Sequence, residues 1–168
     1  MNAAQPDGTT ALSWAVNRDE PEIAAMLLRA GAKPNAANEY GVTPLWLAAD
    51  AANLPMVDLL LNAGADARTS ALNGETALMR AAHTGSVEIV QKLVAHGADV
   101  NAKDTTKGQT ALMRAAAASH PQVVAALIEH GADVKAYSKG GFTPLLFAAQ
   151  QGDEESARDR KSTRLNSS

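Results

Sequence analysis

The sequence predicts an all-α solenoid, a stack of helix-turn-helix pairs joined by projecting β-turn or hairpin loops. Three observations predict it. A Gly-x-Thr motif opens "GTTALSWAV" at Gly8, "GVTPLWLAA" at Gly41, "GETALMRAA" at Gly74, "GQTALMRAA" at Gly108 and "GFTPLLFAA" at Gly141, at spacings of 33, 33, 34 and 33 residues. A Gly-Ala pair recurs in phase at 31–32, 64–65, 97–98 and 131–132. Between motif and pair runs an apolar stripe with helical spacing. Self-similarity at this period marks a repeat architecture, in which each unit buries its apolar face only against its neighbours.

The elements follow in chain order within each repeat. Thr10, Thr43, Thr76, Thr110 and Thr143 stand where a side-chain oxygen can cap a first helix. Pro44 and Pro144 follow two of them, at a first helical position that needs no N–H. Leu12, Leu45, Leu78, Leu112 and Leu145 then point the same way in every repeat. The small pairs Ala15-Val16, Ala48-Ala49, Ala81-Ala82, Ala115-Ala116 and Ala148-Ala149 let helices approach closely. A second helix carries the stripe Ile23/Leu27/Leu28, Met56/Leu60/Leu61, Ile89/Leu93/Val94 and Val123/Leu127/Ile128, one helical face. The glycine after it suits a left-handed cap. The extra residue of the 34-residue spacing falls in the loop "KDTTKG", 103–108.

Composition narrows the function classes. The chain has 168 residues, enough for one core, and is 46% hydrophobic with no run long enough to span a bilayer. A net charge of -3 gives no electrostatic case for nucleic acid. There is no cysteine, so disulfide and thiolate chemistry are excluded. Residues 1–30 lack a basic start followed by an apolar stretch, and so show no signal peptide.

These residues resemble the ankyrin repeat, in its bacterial type. The shared motif is G-x-T-P/A-L-x-x-A-A, an apolar second helix, then G-A-D-x-N-A, and "GETALMRAAHTGSVEIVQKLVAHGADVNA" at 74–102 matches it almost throughout. The resemblance covers 2–158, as repeats over 2–36, 37–69, 70–102, 103–136 and an incomplete 137–158. Two departures stand out. Where the family often has His after "TPL", this chain has Ser13, Trp46, Met79, Met113 and Leu146. The interhelical glycine is present at Gly85 and Gly152 but replaced by Asp19, Ala52 and Ser119.

Both ends read as cut. The register calls for apolar residues at 160 and 161 and a glycine at 164, and finds Arg160, Lys161 and Arg164. Unpaired charges in that stripe are costly. "DRKSTRLNSS", 159–168, resembles the translation of a sequencing adapter and is expected to be a non-native or disordered tail. Without it the net charge is -5. At the other end Asn2-Ala3 aligns with the closing residues of a repeat, so an upstream repeat is expected. The compartment stays open: cytoplasmic, or exported if a missing N-terminus carries a signal.

No catalytic constellation is present. His96 and His130 hold one repeat position just before the capping glycine, too far apart for one zinc. There is no HExxH, P-loop, GxSxG or GxGxxG. The acidic residues show no pair that the repeat geometry brings together. Neither an enzyme nor a cofactor is expected. Met79 and Met113 read as core. "TALMRAA" occurs twice and sets Arg80 and Arg114 on one face of adjacent repeats. They form either a small site for an acidic partner, or two stems covering apolar surface with solvated heads.

The resemblance implies recognition of a protein partner on a concave face built from turn tips and first helices. The candidate residues at the tips are Asp7, Tyr40, Val42, Leu72, Asn73, Glu75, Lys107, Gln109 and Phe142. On the first helices and their ends they are Arg18, Asp50, Arg80, His83, Arg114 and Gln151. These positions vary between repeats while the packing positions do not. The expected function is a monomeric, non-catalytic interaction scaffold. The alternatives are a recognition segment of a larger enzyme, secreted or membrane protein, and a mainly structural array.

Overall fold

The computed structural model describes residues 5–152. Four helix pairs follow one another: α1 (Ala11–Asn17) with α2 (Pro21–Arg29), α3 (Pro44–Asp50) with α4 (Leu54–Asn62), α5 (Ala77–Thr84) with α6 (Val87–Ala95), and α7 (Ala111–Ala117) with α8 (Pro121–Glu129). A ninth helix, α9, runs over 144–152. Among the described residues there is no strand, only an isolated bridge between Ser70 and Thr76. The readings for 159–168 and for the stripe after Arg158 lie outside the described residues.

Each first helix is started by the threonine expected to start it. The Thr10, Thr43, Thr76 and Thr110 hydroxyls accept from the backbone N–H of Ser13, Trp46, Met79 and Met113 at 3.2–3.3 Å. Thr143 does the same for Leu146 at 3.4 Å. Each second helix ends in a Schellman motif, which explains the Gly-Ala ladder. Gly31 N–H donates to Leu28 and Ala32 N–H to Leu27, with Gly31 left-handed at φ 91°. The same pair of bonds recurs at Gly64, Gly97 and Gly131.

The turn between the helices of a pair also needs a left-handed residue. Gly85 supplies it at φ 82°, whereas Asp19, Ala52 and Ser119 are held there at 55°, 52° and 59°. A side chain in this region is strained by about 1–2 kcal/mol. At Gly85 glycine is needed for space as well, since a Cβ would lie 2.8 Å from the His120 ring.

Packing is nearest-neighbour throughout. First helices form one layer (α1, α3, α5, α7) and second helices another (α2, α4, α6, α8), each touching the next in its layer and its own partner. Leu12, Leu45, Leu78 and Leu112 lie between the layers with Met56, Leu60, Ile89, Leu93, Val123 and Leu127, all almost fully buried. Each such side chain contributes roughly 1.5–3 kcal/mol by leaving water. Met79 and Met113 belong to this interior.

Two packing expectations are corrected at the ends. Leu145, in register with Leu12, is 76% exposed, because among the described residues no second helix follows α9. Ile23 is exposed too, since among the described residues α2 is the first helix of the second-helix layer, and Ile128 is exposed at the far end of that layer.

The loops are tied in a row. Glu39 N–H donates to the Asp7 carbonyl, Leu72 to Tyr40, Thr105 to Asn73 and Lys139 to Lys107, at 2.8–2.9 Å. The approach is close enough that a Cβ on Gly74 would lie 2.8 Å from Thr105 N. Behind the tips Asn35 and Asn101 each bridge to the next repeat. Asn35 donates to the Gly64 carbonyl and accepts from Asp66 N–H, at 3.2 and 2.8 Å. Asn101 does so with Gly131 and Asp133 at the same distances.

Candidate interaction surface

The candidate residues at the tips and on the first helices divide into two groups. Tyr40, Leu72 and Phe142 present apolar surface to solvent, at 63%, 76% and 38% exposure. Their backbone is fixed by the tip ladder and by side-chain acceptors: Asn38 Oδ1 accepts from Tyr40 and Val42 N–H, both at 3.0 Å. Phe142 leans on Phe147, ring centroids 5.7 Å apart. Asn73 is exposed and accepts from Glu75 N–H at 3.0 Å. Lys107 is exposed, Gln109 and Gln151 are half-buried, and exposed His83 accepts at its carbonyl from His120 Nε2 at 3.0 Å.

The second group is tied up in ion pairs within the chain. Arg80 donates from Nε to Asp50 Oδ1 at 2.7 Å and from Nη1 to Glu75 Oε1 at 3.2 Å, and its Nη2 also meets Asp50. Arg114 meets the same Glu75 oxygen at 2.7 Å and Asp104 Oδ2 at 3.3 Å. The charges alternate along the helices: Asp50, Arg80, Glu75, Arg114, Asp104. Trp46 lies under Arg80, 5.0 Å from ring centroid to guanidinium.

This network changes the reading of five residues. Glu75 is not a solvent-facing tip but a buried carboxylate shared by two arginines. The heads of Arg80 and Arg114 are half-buried and ion-paired rather than free in solvent, and the acidic groups they face belong to this chain. Asp50 is spent on Arg80, and three carboxylates are brought together where none were expected. Asp104 was not singled out from the sequence at all. The signal was there: identical arginines one repeat apart, each preceded within ten residues by an acidic residue of its own tip, Glu75 or Asp104.

Asp104 is the most enclosed member, its side chain 0% exposed. It accepts from Thr106 N–H and hydroxyl at 3.0 and 2.7 Å, Lys107 N–H at 2.6 Å and Gln109 N–H at 3.1 Å. Burial pushes its carboxyl up. The bonds from Thr106, Lys107 and Gln109 and the Arg114 charge outweigh burial and hold it below its ordinary range. Burial likewise disfavours the Arg80 cation, and Asp50 and Glu75 reverse this.

A cleft opens between the first two repeats. Its volume is about 240 Å³, and Asp7, Thr9, Ser13, Trp14, Asn17, Asn38, Val42 and Leu47 line it. Asp7 accepts from Thr9 N–H and hydroxyl, both at 2.9 Å, which lowers its pKa. Arg18 is exposed beside Trp14, 5.4 Å from the ring centroid.

Among the described residues no three His, Asp or Glu side chains are placed to hold a metal. No described helix is long and apolar enough to cross a membrane. The family model described as "Ankyrin repeats (3 copies)" matches over 1–71, 32–104 and 104–158. The chain therefore belongs to the ankyrin repeat family, whose members are in general protein–protein interaction modules. A search of curated proteins finds no match.

Proposed function

We propose that the chain is a non-catalytic scaffold that binds a protein partner on the concave face formed by its tips and first helices. The observation that carries this reading is the exposure of Tyr40 and Leu72 on hydrogen-bonded, fixed backbone. Large apolar groups on a fixed backbone need little backbone ordering on binding and can anchor an interface.

The test is affinity for a partner captured by the chain, measured by calorimetry. Tyr40→Ala and Phe142→Ala are each expected to weaken binding by more than about 1 kcal/mol. Affinity unchanged in both variants removes the face from consideration. Arg80→Ala tests something else, because it breaks the network, and its effect is read first in stability.

A further inference from the structure

The cleft between the first two repeats has a size and a charge that together specify what fits it. At about 240 Å³ it lies below the ~300–1,000 Å³ typical of small-molecule pockets, and a single amino-acid side chain is the matching scale. Trp14, Val42 and Leu47 give it an apolar side, and Asp7, Thr9, Ser13, Asn17 and Asn38 a polar one. The only ionisable group lining it is Asp7. Among the described residues Asp7 takes part in no ion pair, and its bonds from Thr9 favour the charged form. Arg18 meets Trp14 but does not line the cleft.

Two further features carry the same sign, against the one cation of Arg18 at Trp14. Glu39 is exposed on the next tip. The central network holds three carboxylates against two guanidinium groups and so carries one uncompensated negative charge. An acidic side chain would be repelled here, and a purely apolar one would leave the carboxylate at the mouth without a counter-charge.

Resting on the interaction reading above, we propose that this cleft receives a lysine or arginine side chain of the partner protein, its aliphatic stem against Trp14, Val42 and Leu47 and its cationic head at the Asp7 carboxylate. Long basic side chains pair an apolar stem with a charged head. Asp7 is then the residue that sets specificity, while Tyr40 and Phe142 supply contact area elsewhere on the face.

The test uses the full chain and a defined probe, acetyl-Gly-Arg-Gly-amide. The readout is the Trp14 indole N–H resonance, assigned with Trp46→Phe, at millimolar probe. The arginine probe is expected to shift it saturably, and acetyl-Gly-Glu-Gly-amide to leave it unmoved. Asp7→Asn is expected to weaken the arginine probe at least fivefold. Asn17→Lys leaves the Asp7–Thr9 bonds in place, puts a cation at the cleft and is expected to abolish binding. The proposal is overturned if a norleucine probe matches arginine, if Asn17→Lys binds as well as the parent, or if Trp14 does not respond. A captured partner that depends on Tyr40 while Trp14 ignores the arginine probe sinks this inference and leaves the interaction reading standing.

Discussion

Asp104 keeps a charge in a place without water because every lone pair it needs is supplied locally. Its carboxyl titrates below the ordinary range when folded, so its stabilisation is complete above the unfolded value of about 3.9 and is lost as pH falls through the folded one. Denaturant titrations are expected to show stability dropping as pH falls below about 4, with a shallower drop in Asp104→Asn. At neutral pH that variant is expected to lose on the order of 3 kcal/mol, because it leaves part of a buried pair uncompensated. Ala52 makes the opposite case. It occupies a left-handed position that Gly85 occupies without strain. Ala52→Gly is expected to raise the unfolding free energy by about 1 kcal/mol, a gain a chemical melt detects and a loss would contradict. The left-handed requirement at Ala52 could be seen in the sequence by aligning it with Gly85. The burial of Glu75 could not, because the residue between Gly and Thr looks like a free tip in all five copies.

At the scale of elements, the caps were legible because they are made within four or five residues. Thr10 reaches Ser13, and Gly31 and Ala32 reach Leu28 and Leu27. Contacts between repeats were harder to read, since they join residues about thirty positions apart and need the stack to exist first. The Asn35 and Asn101 bridges are of this kind. Each satisfies one carbonyl and one N–H of the following repeat. Asn35→Ala and Asn101→Ala are each expected to cost about 1–2 kcal/mol, measured by thermal or chemical unfolding. The two bridges sit in different interfaces, so the double variant is expected to lose the sum. A loss well short of the sum would mean that the interfaces are coupled beyond nearest neighbours.

In the whole molecule, stability is graded along the stack. A repeat in the middle is covered on two sides and a repeat at an end on one. The pattern of exposure shows the gradient: Leu78 is fully covered, while Ile23 and Met26 at one end and Ile128 and Leu145 at the other are open. An open groove of about 630 Å³ lies among Leu112, Ala116, Val124, Ile128, Leu145 and Ala148, between the α7–α8 pair and α9. Hydrogen exchange is expected to be slowest in α5 and fastest over 141–152. Protection over 141–152 equal to that of α5 would contradict a stack held by neighbours alone. The fold class was the most legible property of all, because periodicity alone sets it. The site was less legible, because periodicity cannot say which exposed side chains are already taken.

The long loop at 103–108 bears on how such a chain tolerates copying errors. An added codon lengthens a tip and brings amides that must find acceptors. The fourth loop absorbs its extra residue because its second position is Asp104, whose two oxygens serve Thr106, Lys107 and Gln109. In the fifth loop the same position is Ser138, whose lone hydroxyl serves only Phe142. The same error there would strand polar groups. Tolerance of a length change is therefore set loop by loop, by a residue that stands ahead of the change.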